Sequence, residues 1–266
     1  MFNQKSKPIC NMAICLTCGE QSENHIGMQV MGSGLADKGF TINELLQAKL
    51  KFEKLGCQCE LIRLDLQLSD ELRVDTVPAS VLIIRKGIDC LIEQPSKNML
   101  EEQNSFQWDT KYWDTRRGRV LNKRARHNVC FGNIAQEPDY ENKKGTIIAF
   151  DKVPLTNLWK NKLKLIFGEK ANNLEVEGNK YYDIKKCGIG FHGDGERKKV
   201  IAGSLGASRP IHWQWYHKCQ PIGPRIKFVL NGGDMYAMSE KTTGYDWKKR
   251  NIYTLRHSAI SDKYTK

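Results

Sequence analysis

No apolar run in the 266-residue chain approaches the ~20 residues that span a bilayer, so a helical membrane protein is excluded. The first twenty residues, MFNQKSKPICNMAICLTCGE, lack a long apolar core and a small-residue cleavage site, and read as carrying no secretory signal. There is no internal repeat and no low-complexity tract. The nine cysteines are an odd number scattered over the chain, which fits free thiols better than a disulfide framework. The chain therefore reads as an intracellular protein of a reducing compartment, cytoplasm or nucleus, and not as a secreted one. A zinc site is also disfavoured. Cys15 and Cys18, with Cys10 nearby, fall in an apolar strand-like run, and no second CxxC accompanies them or the Cys57/Cys59 pair.

What is present is an ordinary soluble composition, 40% hydrophobic and 27% charged, with a mean hydropathy of -0.55. The length suffices for one large or two modest domains, and nothing in it sets the oligomeric state, for which a monomer is the simplest expectation. The formal charge of +12 is unevenly placed. Residues 1–118 carry 14 basic and 16 acidic side chains, net -2, whereas residues 119–266 carry 28 and 14, net +14. A field of that sign over one half favours polyanionic partners, nucleic acid first, with a merely solvated basic surface as the alternative.

In the first half, residues 12–19 read as a strand, and Thr41 with Glu44 forms a capping box that opens a helix ended by Gly56. CELIRLDL (59–66) and ASVLIIRKG (79–87) read as strands, and the strand, helix, strand spacing predicts a parallel pairing with a crossover helix. Residues 91–118 lose periodicity and read as a polar linker. Beyond them, many short strands and one helix near LTNLWKNKLKLIFG predict a double-sheet β fold. The expectation is thus α+β, with a small α/β domain over 1–118 and a β domain over 119–266.

The window Gly188-Ile-Gly-Phe-His192-Gly-Asp194-Gly-Glu196-Arg197 carries the most chemistry. An imidazole and a carboxylate two residues apart at a strand end can turn onto one cation, two thirds of a 2-His-1-carboxylate triad. An exposed turn that happens to hold a histidine is the bland alternative. Two basic clusters, Arg116-Arg117-Gly-Arg119 and Lys123-Arg124-Ala-Arg126-His127, are dense enough to grip a phosphate backbone, and Arg197-Lys198-Lys199 adjoins the window itself. His212 and His217 flank Trp213-Gln-Trp215-Tyr216, where alternation explains the rings as core packing and stacking on a base is the functional alternative.

The order of motifs resembles the AlkB-like family of Fe(II)/2-oxoglutarate-dependent dioxygenases, closest to the AlkB-like proteins of large DNA viruses. Asn179-Lys-Tyr181 precedes Ile189-Gly-Phe-His192; Asn231-Gly-Gly-Asp234-Met-Tyr-Ala-Met-Ser follows; Arg250-Asn-Ile-Tyr-Thr-Leu-Arg256 closes the set. The resemblance implies a double-stranded β-helix, or jelly-roll, fold with Fe(II) and 2-oxoglutarate as co-substrate, consuming O2 in oxidative demethylation of N-alkylated nucleobases in DNA or RNA. It implies Asn179 and Tyr181 in the co-substrate pocket and Glu196 beside the substrate; Arg197, from its place next to the window, and Trp213 and Trp215, from the stacking alternative, are further substrate-binding candidates. Two registers stay open at the C-terminus. In one, His257, the only histidine downstream of Asp234, joins His192 and Asp194 on iron, and Arg250 or an arginine from another strand holds the co-substrate carboxylate. In the other, Arg250 and Arg256 are the 2-oxoglutarate arginines and the distal histidine is missing. A 2-oxoglutarate hydroxylase acting on protein or a small molecule, and an iron-free nucleic-acid-binding module, are the rival classes.

Overall fold

The computed structural model describes residues 11–259, so Cys10 lies outside the described residues. The first strands are β1 (Ala13–Gly19), β2 (Gln21–Glu23), β3 (Val30–Gly32), β4 (Cys59–Arg63) and β5 (Ser80–Ile84). Next come β6 (Lys111–Asp114), β7 (Arg119–Asn122), β8 (His127–Gly132), β9 (Ile147–Ala149), β10 (Glu175–Tyr181) and β11 (Ile189–His192). The last are β12 (Val200–Gly206), β13 (Arg209–His217), β14 (Gln220–Leu230), β15 (Met235–Met238) and β16 (Thr254–Ala259). The helices are α1 (Ile42–Lys54), α2 (Asp70–Arg73), α3 (Gly87–Ile92), α4 (Ser96–Gln103) and α5 (Pro154–Phe167).

The strands build an eight-stranded sheet, β4-β5-β15-β12-β1-β10-β8-β9, a four-stranded sheet, β11-β16-β13-β14, and the hairpins β2–β3 and β6–β7. The pairings are antiparallel except β8 with β9, so the fold is α+β and sheet-rich. Alternation along β1 sends Ile14, Leu16 and Cys18 to one face, where Leu45 and Phe52 of α1 and Trp159 and Leu163 of α5 cover them. Cys15 points the other way, into a second core with Tyr236 of β15, Trp213 and Trp215 of β13 and Leu255 of β16. Both faces of the large sheet are covered, one by helices and one by the small sheet, which is why β1 reads as a continuous apolar run.

Local chemistry sets the helix ends. The Thr41 hydroxyl accepts from the Glu44 amide at 3.2 Å and the Glu44 carboxylate accepts from the Thr41 amide at 2.8 Å, the expected capping box. Gly56, at φ +85°, takes the left-handed turn that ends α1. The Glu102 carboxylate of α4 accepts from the Leu155 and Thr156 amides, neutralising the N-terminus of α5. Pro221 and Pro224 sit on β14, an edge strand, where missing N–H donors cost no ladder bond.

Two expectations are corrected. The parallel strand-helix-strand unit does not form: β4 and β5 pair antiparallel, and β1 inserts between β10 and β12. Spacing requires only that the chain cross the helix face of the sheet; which neighbour each strand joins is decided by packing far along the chain. The stretch 91–118 is not a bare linker, because it holds α4 and β6 and buries Met99 and Trp108. An eight-residue helix burying only Met99 and Gln103, one turn apart, has too few apolar positions to show a period. Strands from 1–118 and 119–266 share the large sheet, and the 118/119 position falls in the turn of the β6–β7 hairpin. Among the described residues no helix is long and apolar enough to cross a membrane.

Candidate metal centre

β11 and β16 are neighbours in the small sheet, with His192 directly opposite His257. After His192 the chain must pass the segment carrying Gly244. A Cβ on Gly193 would lie 2.1 Å from the Gly244 carbonyl oxygen, so this step of the motif admits only glycine. The Asp194 amide donates to the Thr243 carbonyl at 2.9 Å, which turns the carboxylate back toward the two rings. His192 Nε2 and His257 Nε2 lie 3.9 and 3.6 Å from Asp194 Oδ1, and the ring centroids are 4.4 Å apart. One ligand atom from each residue falls within 4.8 Å of the others, a grouping that can hold one metal ion. Two imidazoles and one carboxylate on one side of a cation suit a divalent transition metal with positions left open.

The protonation states suit it as well. His192 Nδ1 lies 2.8 Å from the Gly190 carbonyl oxygen, a contact it can make only as a donor, which leaves Nε2 as the lone-pair nitrogen facing Asp194. Burial, with His257 alongside, pushes the His192 imidazole down to about 4, so it is neutral at pH 7. Burial alone would raise the Asp194 carboxyl, but His257 and Arg197 beside it hold it well below the usual carboxylate range. His257 Nδ1 is buried without a hydrogen-bond partner.

These donors open onto a cavity of about 320 Å³ between the two sheets. Asn179 and Tyr181 of β10 both line it. The Asn179 side-chain oxygen accepts from Arg126 and Asn128, and its amide donates to Glu177 at 2.7 Å. Tyr181 is buried, which pushes its hydroxyl up to about 12. Arg209, the first residue of β13, lines the same cavity at 1% exposure, its guanidinium 5.5 Å from the centre of the Tyr181 ring. Its Nε and Nη2 have no hydrogen-bond partner. Those two nitrogens form one edge of the guanidinium fork, the edge that takes a carboxylate bidentately, and leaving them buried and unpaired is costly. The cavity thus offers a cation site at one end and an anion site within the same walls.

Arg209 escaped the sequence reading. Its only signal was a charged residue heading an otherwise apolar strand. The arginines that were expected there lie elsewhere: Arg250 is exposed and outside the cavity, and Arg256 stacks on Tyr216 and Trp247 at 4.1 and 5.2 Å, also outside. Alternation explains this, since His257 and Leu255 point inward and Arg256 between them must point out. Trp213 and Trp215 are corrected too, being fully buried between the sheets with no face open to a ligand. His212 bonds the Ser258 hydroxyl and His217 stacks on Tyr253, so neither joins the donor group. Glu196 and Arg197 do line the cavity. Arg197 is not a free surface cation, however: it is buried and paired with Glu177 at 2.7 Å and Glu196 at 2.8 Å.

Glu23, from β2, reaches the same cavity, where burial pushes its carboxyl up to about 7. His25 and Ile26 follow it at the rim. Among the described residues no cysteine joins the site as a metal ligand; Cys15 lines the wall as a buried free thiol.

No family model matches the chain. An uncharacterized protein of Acanthamoeba polyphaga mimivirus is 43% identical to it over 254 residues, which span 95% of this chain and 97% of the viral protein.

Proposed function

We propose that the chain, which belongs to the family of that mimivirus protein, is an Fe(II)/2-oxoglutarate-dependent dioxygenase of AlkB-like type that demethylates N-alkylated nucleobases in DNA or RNA. The observation that carries this is one cavity holding both the His192, Asp194 and His257 donors and the unpaired Nε and Nη2 of Arg209. A metal site alone would fit many activities. A buried, bidentate carboxylate anchor in the same cavity narrows the co-substrate to an acid that also reaches the metal, as 2-oxoglutarate does.

The topology supports the jelly-roll reading. The small sheet sets β11 beside β16 and faces the β10-β1-β12-β15 part of the large one.

In this reading His192, Asp194 and His257 hold Fe(II), which with 2-oxoglutarate supplies the O2 activation needed to oxidise an N-methyl group. The chain's own work is positional. Arg209 orients the co-substrate by its far carboxylate, with Tyr181 and Asn179 walling it in. The Asp194 carboxylate and the neutral His192 enter metal binding without releasing protons of their own. Glu196 and Glu23, which line the same cavity, would meet the substrate. One O2 and one 2-oxoglutarate are consumed per N–CH3 converted to N–H, with succinate, CO2 and formaldehyde released.

The test is to reconstitute the protein anaerobically with Fe(II), then supply 2-oxoglutarate, O2 and an N-methylated oligonucleotide. Equal yields of succinate and formaldehyde are expected. Succinate without formaldehyde would make it a hydroxylase of another substrate, and no succinate with any nucleic acid would end the proposal.

A further inference from the structure

A cavity of about 510 Å³ shares no residue with the metal pocket. It lies between the residues leading into α1, those before β5 and the segment joining β15 to β16. Lys38, Lys241 and Lys249 line it together with Asp75, Glu240 and Asp246, so its charges cancel and it favours a neutral occupant. Phe40, Ile42, Val77 and Ile252 supply apolar wall. An apolar cavity of roughly 300–1,000 Å³ with a few convergent polar groups is the usual form of a small-molecule site.

The polar groups that converge are an ion pair. Lys241 Nζ lies 2.7 Å from Asp246 Oδ2, and the two side chains are only 6% and 4% exposed. Lys241 also donates to the Tyr253 carbonyl oxygen at 2.6 Å, which fastens the turn over 240–243 to the chain entering β16. An ammonium has three N–H groups, so one is left over among the described residues. Asp246 Oδ1 is left over too, buried without a hydrogen-bond partner among the described residues. Fastening the turn needs only the two bonds already made. What remains is a donor and an acceptor on adjoining side chains of one cavity wall, and a buried carboxylate oxygen without a partner is destabilising until something donates to it.

We propose that this cavity binds a small, flat molecule carrying a carboxamide or lactam, whose C=O accepts from Lys241 and whose adjacent N–H donates to Asp246 Oδ1. An amide matches because it presents an acceptor and a donor side by side without net charge. A carboxylate would set a negative oxygen against Asp246, and an amine would leave the Lys241 hydrogen without an acceptor. The rest of the molecule lies along the apolar wall. The inference does not depend on the reaction proposed for the metal pocket, although the two sites are neighbours. Tyr245 and Asp246 line this cavity, Trp247 lines the other, and Gly244 packs against Gly193 of the metal motif.

The experiment is a ligand-observed NMR titration of the metal-free full chain with benzamide and, separately, with acetophenone, which keeps the ring and carbonyl but has a methyl group in place of the amide nitrogen. Benzamide should bind with a Kd of about 1 mM. Acetophenone should bind at least about tenfold more weakly, because it leaves Asp246 Oδ1 unpaired. It is the more apolar of the two, so a cavity that selected only for apolar surface would rank them the other way. Ile252→Trp puts a large ring at a wall position that is 40% exposed, and should remove benzamide binding. Val77→Trp, from another part of the wall and 56% exposed, should do the same and guards against misfolding of the first variant. Neither residue lines the metal pocket, so Fe(II) stoichiometry should match the parent in both. Equal affinity for the two probes would overturn the donor and acceptor recognition. Benzamide binding undiminished in both variants would overturn the cavity as its site, and no binding up to about 20 mM would overturn the proposal outright.

Discussion

At the metal end of the pocket, all three donors come from β11, the turn after it, and its neighbour β16; at the anion end, Arg209 comes from the start of β13 and stands against Tyr181 of β10 and Tyr236 of β15. The first end is satisfied in the free protein save for the buried His257 Nδ1, with Asp194 near both histidines and His192 bonded to a backbone oxygen. The second is not, since two guanidinium nitrogens are buried without partners. An arrangement that relaxes by itself says little about what it binds. One that stays unpaired in the folded state points to a ligand, because folding alone gives no return for it.

The clearest way to separate the ends is at the metal. His192→Ala, Asp194→Ala and His257→Ala should each lower Fe(II) affinity by at least about a hundredfold, measured by anaerobic titration, because two remaining donors do not hold the ion against water. The fold should persist, since the core on either side of the large sheet is apolar and independent of the ion. Metal stoichiometry unchanged in His257→Ala would remove that residue from the donor set.

Arg209→Met should do the opposite. Metal binding stays, 2-oxoglutarate affinity measured by calorimetry falls by roughly a hundredfold, and the metal-free protein gains on the order of 1–4 kcal/mol, because an apolar chain of similar length replaces a buried guanidinium that is bonded to Tyr236 but whose Nε and Nη2 have no partner. A loss of stability on this substitution would mean that the Nε and Nη2 edge of Arg209 is satisfied within the protein and is no anchor.

Arg256→Ala tests the contrast from outside the pocket. It removes stacking on Tyr216 and Trp247 and should cost only about 0.5–1 kcal/mol in denaturant melts, with metal and co-substrate affinities unmoved. A strong rise in the 2-oxoglutarate requirement would restore the register in which Arg256 holds it.

The smallest effect concerns acid. Burial holds the His25 imidazole at about 4 against an ordinary 6.5. As pH falls through that window the unfolded chain takes up a proton that the folded one refuses, so stability is lost on acidification. His25→Asn should lose less stability than the parent between those limits when thermal midpoints are compared across pH. Parallel curves would show that His25 is already open to solvent.

Much of the local order is legible without coordinates. The Thr41/Glu44 capping box and the helix near LTNLWKNKLKLIFG follow from short-range chemistry, and both form. The His192 and Asp194 pairing is likewise local, a matter of two residues at a strand end and a glycine between them. Even the burial of Trp213 and Trp215 was readable, as the same-face members of the alternating run IHWQWYH.

Caps, periods and turns act over a few residues, so the set of elements and the two-residue metal motif are written in the chain itself. Long-range packing alone decided that β1 enters the centre of the large sheet, that residues 91–118 bury Met99 and Trp108, and that Arg209 meets Tyr181 beside the metal donors. Each depends on pairing between strands far apart in the chain, where the free energy comes from the fit of two whole faces and leaves no spacing in the sequence to read.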